Sequence, residues 1–394
     1  MKMIRSAGLS LLVAAWLAAC GGGEGPIPGS GSPAGAPTTK GTFTSVVSFG
    51  DSLSDVGAYA PATSLTGTGA APYFGGKFTT NSATATVWVE NLAGSMGLMV
   101  TPAEVGFAGQ SVKCPAAAIN AALAGTCTGY GQGGARVSDP NGIGRSGGAL
   151  TVPVTTQVAN HLSRFTSFKS SDLILVWAGH NDIFTQFGIF AAKATQIQTD
   201  AATGKITADA ANLALFNAQT EAQAGMKQAA QDLAALVKTQ ILAKGGKYVA
   251  VMELLDIAKS PFGATVPASA RPVLTDLSRI FNLWLRDGLT DQPVQLMDTN
   301  NFLTEVMANP TKFGFANVTV PACDAAKISV ITGGRITDGS SLFCNSTAGV
   351  PYFGLRTGAD VNTWMFADGV HPTTGGHKQL ATYVAAQLKA YGWL

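Results

Sequence analysis

A hydroxyl that attacks a carbonyl carbon needs a base to take its proton, an acid to orient that base, and N–H donors for the oxyanion that forms. In this sequence of 394 residues the candidates for those tasks lie far apart. Ser52 stands in Ser45-Val46-Val47-Ser48-Phe49-Gly50-Asp51-Ser52-Leu53-Ser54-Asp55, where an apolar run gives way to acids and hydroxyls. A serine opening a helix at that point would carry its own backbone N–H among the helix's unpaired donors, ready for an oxyanion. Taken alone the stretch fits a capped turn equally well, because Ser and Asp are also favoured helix caps.

The chain has four histidines to serve as base: His161, His180, His371 and His377. His161 reads as a structural residue on an amphipathic helix and His377 as a surface or capping residue at the start of the last helix, which leaves His371 and His180. His371 lies in Phe366-Ala367-Asp368-Gly369-Val370-His371-Pro372-Thr373. Asp368, three residues earlier on a turn, can reach the imidazole and hold its tautomer, and Pro372 stiffens the backbone after it. A third cluster, Trp177-Ala178-Gly179-His180-Asn181-Asp182, offers the Asn181 amide to an oxyanion, with Gly179 permitting a tight turn. Its bland alternative is an Asx turn at a strand end. Gly129-Tyr130-Gly131-Gln132-Gly133-Gly134-Ala135-Arg136 can present a bare backbone N–H, or be only a flexible loop.

These clusters need a frame that brings them to one place. Ser45–Phe49, Leu173–Trp177, Tyr248–Met252 and Val294–Met297 are short, nearly continuous apolar runs, as expected of parallel strands covered on both faces. Helical patterns lie between them at Thr84–Leu92, Thr155–Phe165, Asp209–Lys244, Pro272–Leu289 and Gly375–Tyr391. The alternation predicts an α/β fold, a sandwich with a parallel sheet, with ligands beyond the carboxyl ends of the strands. Residues 100–150, 184–208 and 305–365 break the alternation and read as surface excursions around that edge. Phe184, Phe187, Phe190, Phe313, Phe315 and Phe353 in those excursions suit either an apolar acyl pocket or the excursions' own small cores.

Hydrophobic residues make up 46% of the chain and charged ones 12%, enough for a large core. Lys and Arg number 25 against 23 Asp and Glu, with no basic cluster past the first residues, so nucleic acid is not the expected partner. Residues 1–20 have a charged start, an apolar centre and the ending Leu17-Ala18-Ala19-Cys20, the pattern of an export signal too short to span a membrane. Leu-Ala-Ala-Cys resembles a bacterial lipobox, which implies lipidation of Cys20 and anchoring in the cell envelope. Residues 21–41, rich in Gly, Pro and Ser, read as a flexible tether, and the folded domain is expected over 42–394. With Cys20 set aside, four cysteines remain, an even number in an oxidising compartment. Three pairings are open, of which the local one, Cys114 with Cys127 and Cys323 with Cys344, is preferred. No C-x-x-C supports a zinc site, and no metal or cofactor is expected.

Taken together, FGDSLSD, GYGQGGARV, GHND and DGVHPT resemble, in order and on matching elements, the four signature blocks of the SGNH/GDSL hydrolases. The resemblance spans residue 44 to the C-terminus. It implies a three-layer α/β/α sandwich with a parallel, flavodoxin-like sheet, with Ser52 as nucleophile, His371 as base and then acid, and Asp368 as its orienter. It implies oxyanion donors at the Ser52 N–H, the Gly134 N–H and the Asn181 side chain, with Gly133 one residue away in a loosely fixed glycine run. His180 fills a variable position and inherits no role, and Asp51 and Asp55 are unassigned. The expected partner is an ester-containing small molecule or lipid, cleaved through an acyl-enzyme. Acyl transfer, carbohydrate deacetylation, and binding without catalysis on a decayed scaffold are the alternatives. A metallophosphoesterase does not fit: no Asp-x-His lies upstream, Asp51 and Asp55 are one residue too far apart, and His180 and Asn181 are in reversed order.

Overall fold

The computed structural model describes residues 43–69 and 72–394, so Cys20, the expected export signal 1–20 and the tether 21–41 lie outside the described residues. Four strands, β1 (Ser45–Gly50), β2 (Asp172–Trp177), β3 (Tyr248–Met252) and β4 (Gln295–Met297), form one parallel sheet in that spatial order. Among the described residues, seven helices of eight residues or more accompany them: α1 (Trp88–Ser95), α2 (Val154–Phe165), α3 (His180–Ala202), α4 (Ala208–Leu236), α5 (Arg271–Gly288), α6 (Thr299–Ala308) and α7 (Thr374–Ala390). This is the expected α/β fold with a central parallel sheet flanked by helices.

The strands are apolar at nearly every position because both faces are covered. Phe49 of β1 meets His161 of α2 edge-on at 5.8 Å, while Trp177 of β2 meets Trp88 of α1 at 5.9 Å. Phe49 is in register with Val176, so its neighbour Trp177 faces the opposite layer. On one side α1 packs on α7; elsewhere α3, α4 and α5 pack on one another.

Topology fixes where the chemistry can sit. Gly129 bridges Ser48 in parallel, with Ser48 N–H donating to Thr128 O at 3.0 Å and Tyr130 N–H to Ser48 O at 2.8 Å. The chain therefore returns first on one side of β1 and then, as β2, on the other. The carboxyl ends of β1 and β2 thus flank a topological switch point, the usual crevice for a ligand in such sheets. Gly50 is level with Trp177, so the segments leaving both strands emerge together.

Two expectations need correction. Residues 184–208, read as an excursion, belong largely to α3, whose buried Ile183, Phe187 and Phe190 recur at helical spacing. That stripe is narrow, and the Thr and Gln residues around it masked the period. The helix expected from Thr84 begins at Trp88, because Glu90 turns back to accept the Val87 N–H at 2.9 Å and pairs with Lys77. The remaining excursions are tied down by the two preferred disulfides, Cys114–Cys127 and Cys323–Cys344. Among the described residues no helix is long and apolar enough to cross a membrane.

Candidate active site

β1 ends at Gly50, and Asp51 then caps a single 3-10 turn, Ser52–Ser54, by accepting the Leu53 N–H at 3.1 Å. A Cβ at Gly50 would lie 2.3 Å from the Trp177 carbonyl, so the chain can leave the strand this closely only with glycine. The turn is shorter than the helix expected after Ser52, but it leaves the Ser52 backbone N–H without an acceptor among the described residues.

Ser52 Oγ lies 2.8 Å from His371 Nε2. His371 Nδ1 lies 2.9 and 2.8 Å from the two oxygens of Asp368. Asp368 also accepts the His371 and Val370 N–H groups, and the Ser341 N–H at 2.8 Å. Burial works against charge on His371, but the Asp368 carboxylate beside it outweighs this and raises its pKa above 6.5. Burial alone would likewise push the Asp368 carboxyl up; His371 and the N–H donors more than offset it and hold it well below the usual range. Asp368 is thus held as an acceptor from Nδ1, leaving Nε2 toward Ser52. An imidazole so oriented can take the serine proton and store it as a paired imidazolium.

The glycine-rich loop docks on the Ser52 turn. Gln132 N–H donates to Gly50 O at 3.2 Å, and a Cβ at Gly131 would strike the Ser54 carbonyl at 2.8 Å. Asp55 is fully buried and accepts the Gly57, Ala58 and Gly133 N–H groups, the last at 2.9 Å. Burial pushes its carboxyl up to about 6 against those three donors. The Gly133 N–H is therefore taken, whereas the Gly134 N–H, at φ +78°, has no acceptor among the described residues. Asn181 Nδ2 donates to Ala135 O at 2.9 Å, which sets the amide against the residue after Gly134. Gly179, at φ +123°, makes the turn out of β2, and a Cβ there would meet the Phe281 ring at 2.7 Å. Asp182, next in the motif, holds Arg136 at 2.9 Å and the Val137 N–H at 3.1 Å, which fastens the loop to α3.

Residues 46–384 match the family of GDSL-like lipases/acylhydrolases. The chain belongs to that family. No curated protein matches it in sequence. The family assignment makes ester hydrolysis or acyl transfer the general chemistry, on the α/β scaffold described above.

The other histidines fall into place within this GDSL-family frame. His161 is buried among Phe49, Tyr130, Phe165 and Phe168, and burial lowers its pKa to about 4, in keeping with a structural role. His377 is not on the surface: it is fully buried, lies 3.3 Å from the Phe78 carbonyl, and accepts the Trp88 N–H at 3.2 Å. His180, left without a role by its variable position, faces Asp51 at 3.1 Å. The phenylalanines considered for an acyl pocket mostly serve cores. Phe187, Phe190 and Phe315 are buried in the main core, Phe184 and Phe313 pack against it, and Phe353 packs on the cluster around Cys323 and Cys344. A small buried cluster of Tyr59, Phe78 and Leu342 stands beside the site instead, with the Phe78 ring 4.8 Å from His371. Ala62, Phe107 and Phe343 pack on that cluster and line a cleft of about 720 Å³. Sequence reasoning missed Phe78 and Ser341 and left Asp55, although inside the first motif, without a role, because their contacts with His371, Asp368 and Gly133 span more than 290, 25 and 70 positions of chain respectively.

Proposed function

We propose that the protein is a carboxylic ester hydrolase with Ser52 as nucleophile, His371 as general base and then acid, and Asp368 as the orienter of His371. The observation that carries this reading is the unbroken line from Ser52 Oγ through His371 to Asp368, with contacts of 2.8 Å and 2.8–2.9 Å. Ser52 Oγ attacks the ester carbonyl as Nε2 takes its proton; the imidazolium returns that proton to the departing alcohol, leaving an acyl-enzyme. Water, deprotonated by the same Nε2, then attacks the acyl carbon, and the imidazolium returns the proton to Ser52 Oγ as the bond to the acyl group breaks and the acid is released. The Ser52 N–H, the Gly134 N–H and the second Asn181 amide hydrogen are the proposed oxyanion donors, supported by their having no other acceptor among the described residues.

The substrate we propose is an ester with an apolar part, for which Ala62, Phe107 and Phe343, lining the cleft beside the Phe78 cluster, offer the surface. The chain is proposed to act outside the cytoplasm, anchored through lipidated Cys20; the two disulfides fit an exported protein. Turnover of an acyl-ester series of increasing chain length by protein lacking residues 1–20, beside its Ser52→Ala variant, tests the reading. Loss of turnover with an unchanged far-UV spectrum is expected, and retained turnover in Ser52→Ala overturns it.

A further inference from the structure

The residue just before the proposed nucleophile carries a second buried carboxylate–imidazole contact. Asp51 is fully buried, and its two oxygens are divided: Oδ1 accepts the Leu53 N–H at 3.1 Å, and Oδ2 faces His180 Nδ1 at 3.1 Å. His180 is 4% exposed and stands at the start of α3. Its far nitrogen, Nε2, accepts the Leu255 N–H at 3.3 Å. A backbone N–H can only donate, so Nε2 is the acceptor and the ring proton sits on Nδ1, aimed at Asp51. The Trp177 ring, edge-on at 5.4 Å, closes the imidazole in. The tautomer is therefore dictated by the backbone of the loop after β3 and delivered to the turn after β1.

We propose that His180 and Asp51 form a second Asp–His couple, in which His180 is a positioning residue that holds Asp51 and, through it, the Ser52 turn. The inference rests on the hydrolase reading above. Asp51 is covalently joined to Ser52, and its carboxylate caps the turn that aims Oγ and the Ser52 N–H. A carboxylate cut off from water needs both oxygens occupied, and among the described residues only His180 supplies a side-chain donor to the second. The charged groups that face Asp51 are His180, His371 from the C-terminal turn, and Asp182 on α3, the last paired with Arg136. Burial lowers the pKa of His371, and the Asp51 charge adds to that of Asp368 in raising it, so the couple also favours the imidazolium that catalysis creates.

The test compares His180→Phe, His180→Asn and Asp51→Asn. Asn at 180 keeps an N–H donor near the Nδ1 position, whereas Phe fills the space without one. Expected are a fall in kcat of about 10- to 100-fold with little change in KM for His180→Phe, and partial recovery in His180→Asn, as for the loss of one hydrogen bond to a charged group. Asp51→Asn removes a negative charge near His371, so the acid limb of its kcat/KM profile should move to lower pH. Side-chain nitrogen NMR of the unmutated protein should show His180 protonated at Nδ1. A His180 proton on Nε2, or equal losses in Phe and Asn with the Asp51→Asn limb unmoved, would overturn the couple. Ser52→Ala is the separate control: its retained activity would sink the hydrolase reading, while the NMR result would stand regardless.

Discussion

Removing the Cys323–Cys344 disulfide should impair catalysis, whereas removing Cys114–Cys127 should cost stability alone. The bridges close loops with sequence separations of 21 and 13. On the loop-entropy estimate they contribute about 3.3 and about 2.9 kcal/mol respectively, so both losses should lower stability by similar amounts. Their connections to the site differ. Cys323 N–H donates to Ala367 O at 2.8 Å, immediately before Asp368, and Asn81 N–H donates to Cys344 O at 2.8 Å. Ser341, three residues before Cys344, gives its N–H to Asp368 at 2.8 Å. Freed from the bridge, that segment loses its hold on the carboxylate. A hydrogen bond to a charged group is worth about 1.5–3 kcal/mol, which as lost transition-state stabilisation is about 10- to 150-fold in kcat. The assay pairs urea denaturation with kcat and KM for the Cys323→Ala/Cys344→Ala and Cys114→Ala/Cys127→Ala proteins. A folded Cys323→Ala/Cys344→Ala protein with undiminished kcat, or equal kcat losses in both proteins, would refute the reasoning.

Because His371 must be neutral to take the serine proton and Asp368 raises its pKa above 6.5, kcat/KM should fall as pH drops through a value higher than that of a free histidine, in a pH–rate profile. Asn181→Ala should lower kcat about 10²- to 10³-fold if its amide serves the oxyanion, measured on the best ester of the chain-length series. Gly134→Ala should be more damaging than its size suggests, since φ is +78° and the new Cβ would fall 2.0 Å from Ile143 O; activity and thermal denaturation should both report it. Cys20→Ser should move the exported protein from the membrane to the soluble fraction on cell fractionation.

The sheet was legible in the sequence because a parallel strand buried on both faces has to be apolar almost throughout, and β1, β2 and β3 are. Asp368 and His371 were legible as a pair because three residues of one turn suffice to join them. Ser52 became a candidate nucleophile only together with the later motifs, since a capping serine and an attacking one look alike in one dimension. Only the tertiary structure decided the rest, for contacts between distant segments leave no local period. It buried His377 against Trp88 and Phe78, where position at a helix start had suggested the surface. It engaged the Gly133 N–H with Asp55 and left that of Gly134 free, a distinction two adjacent glycines cannot carry in sequence. And it joined Asp51 to His180 across 129 positions, because β1 and β2 end level in the sheet and release their turns into the same crevice.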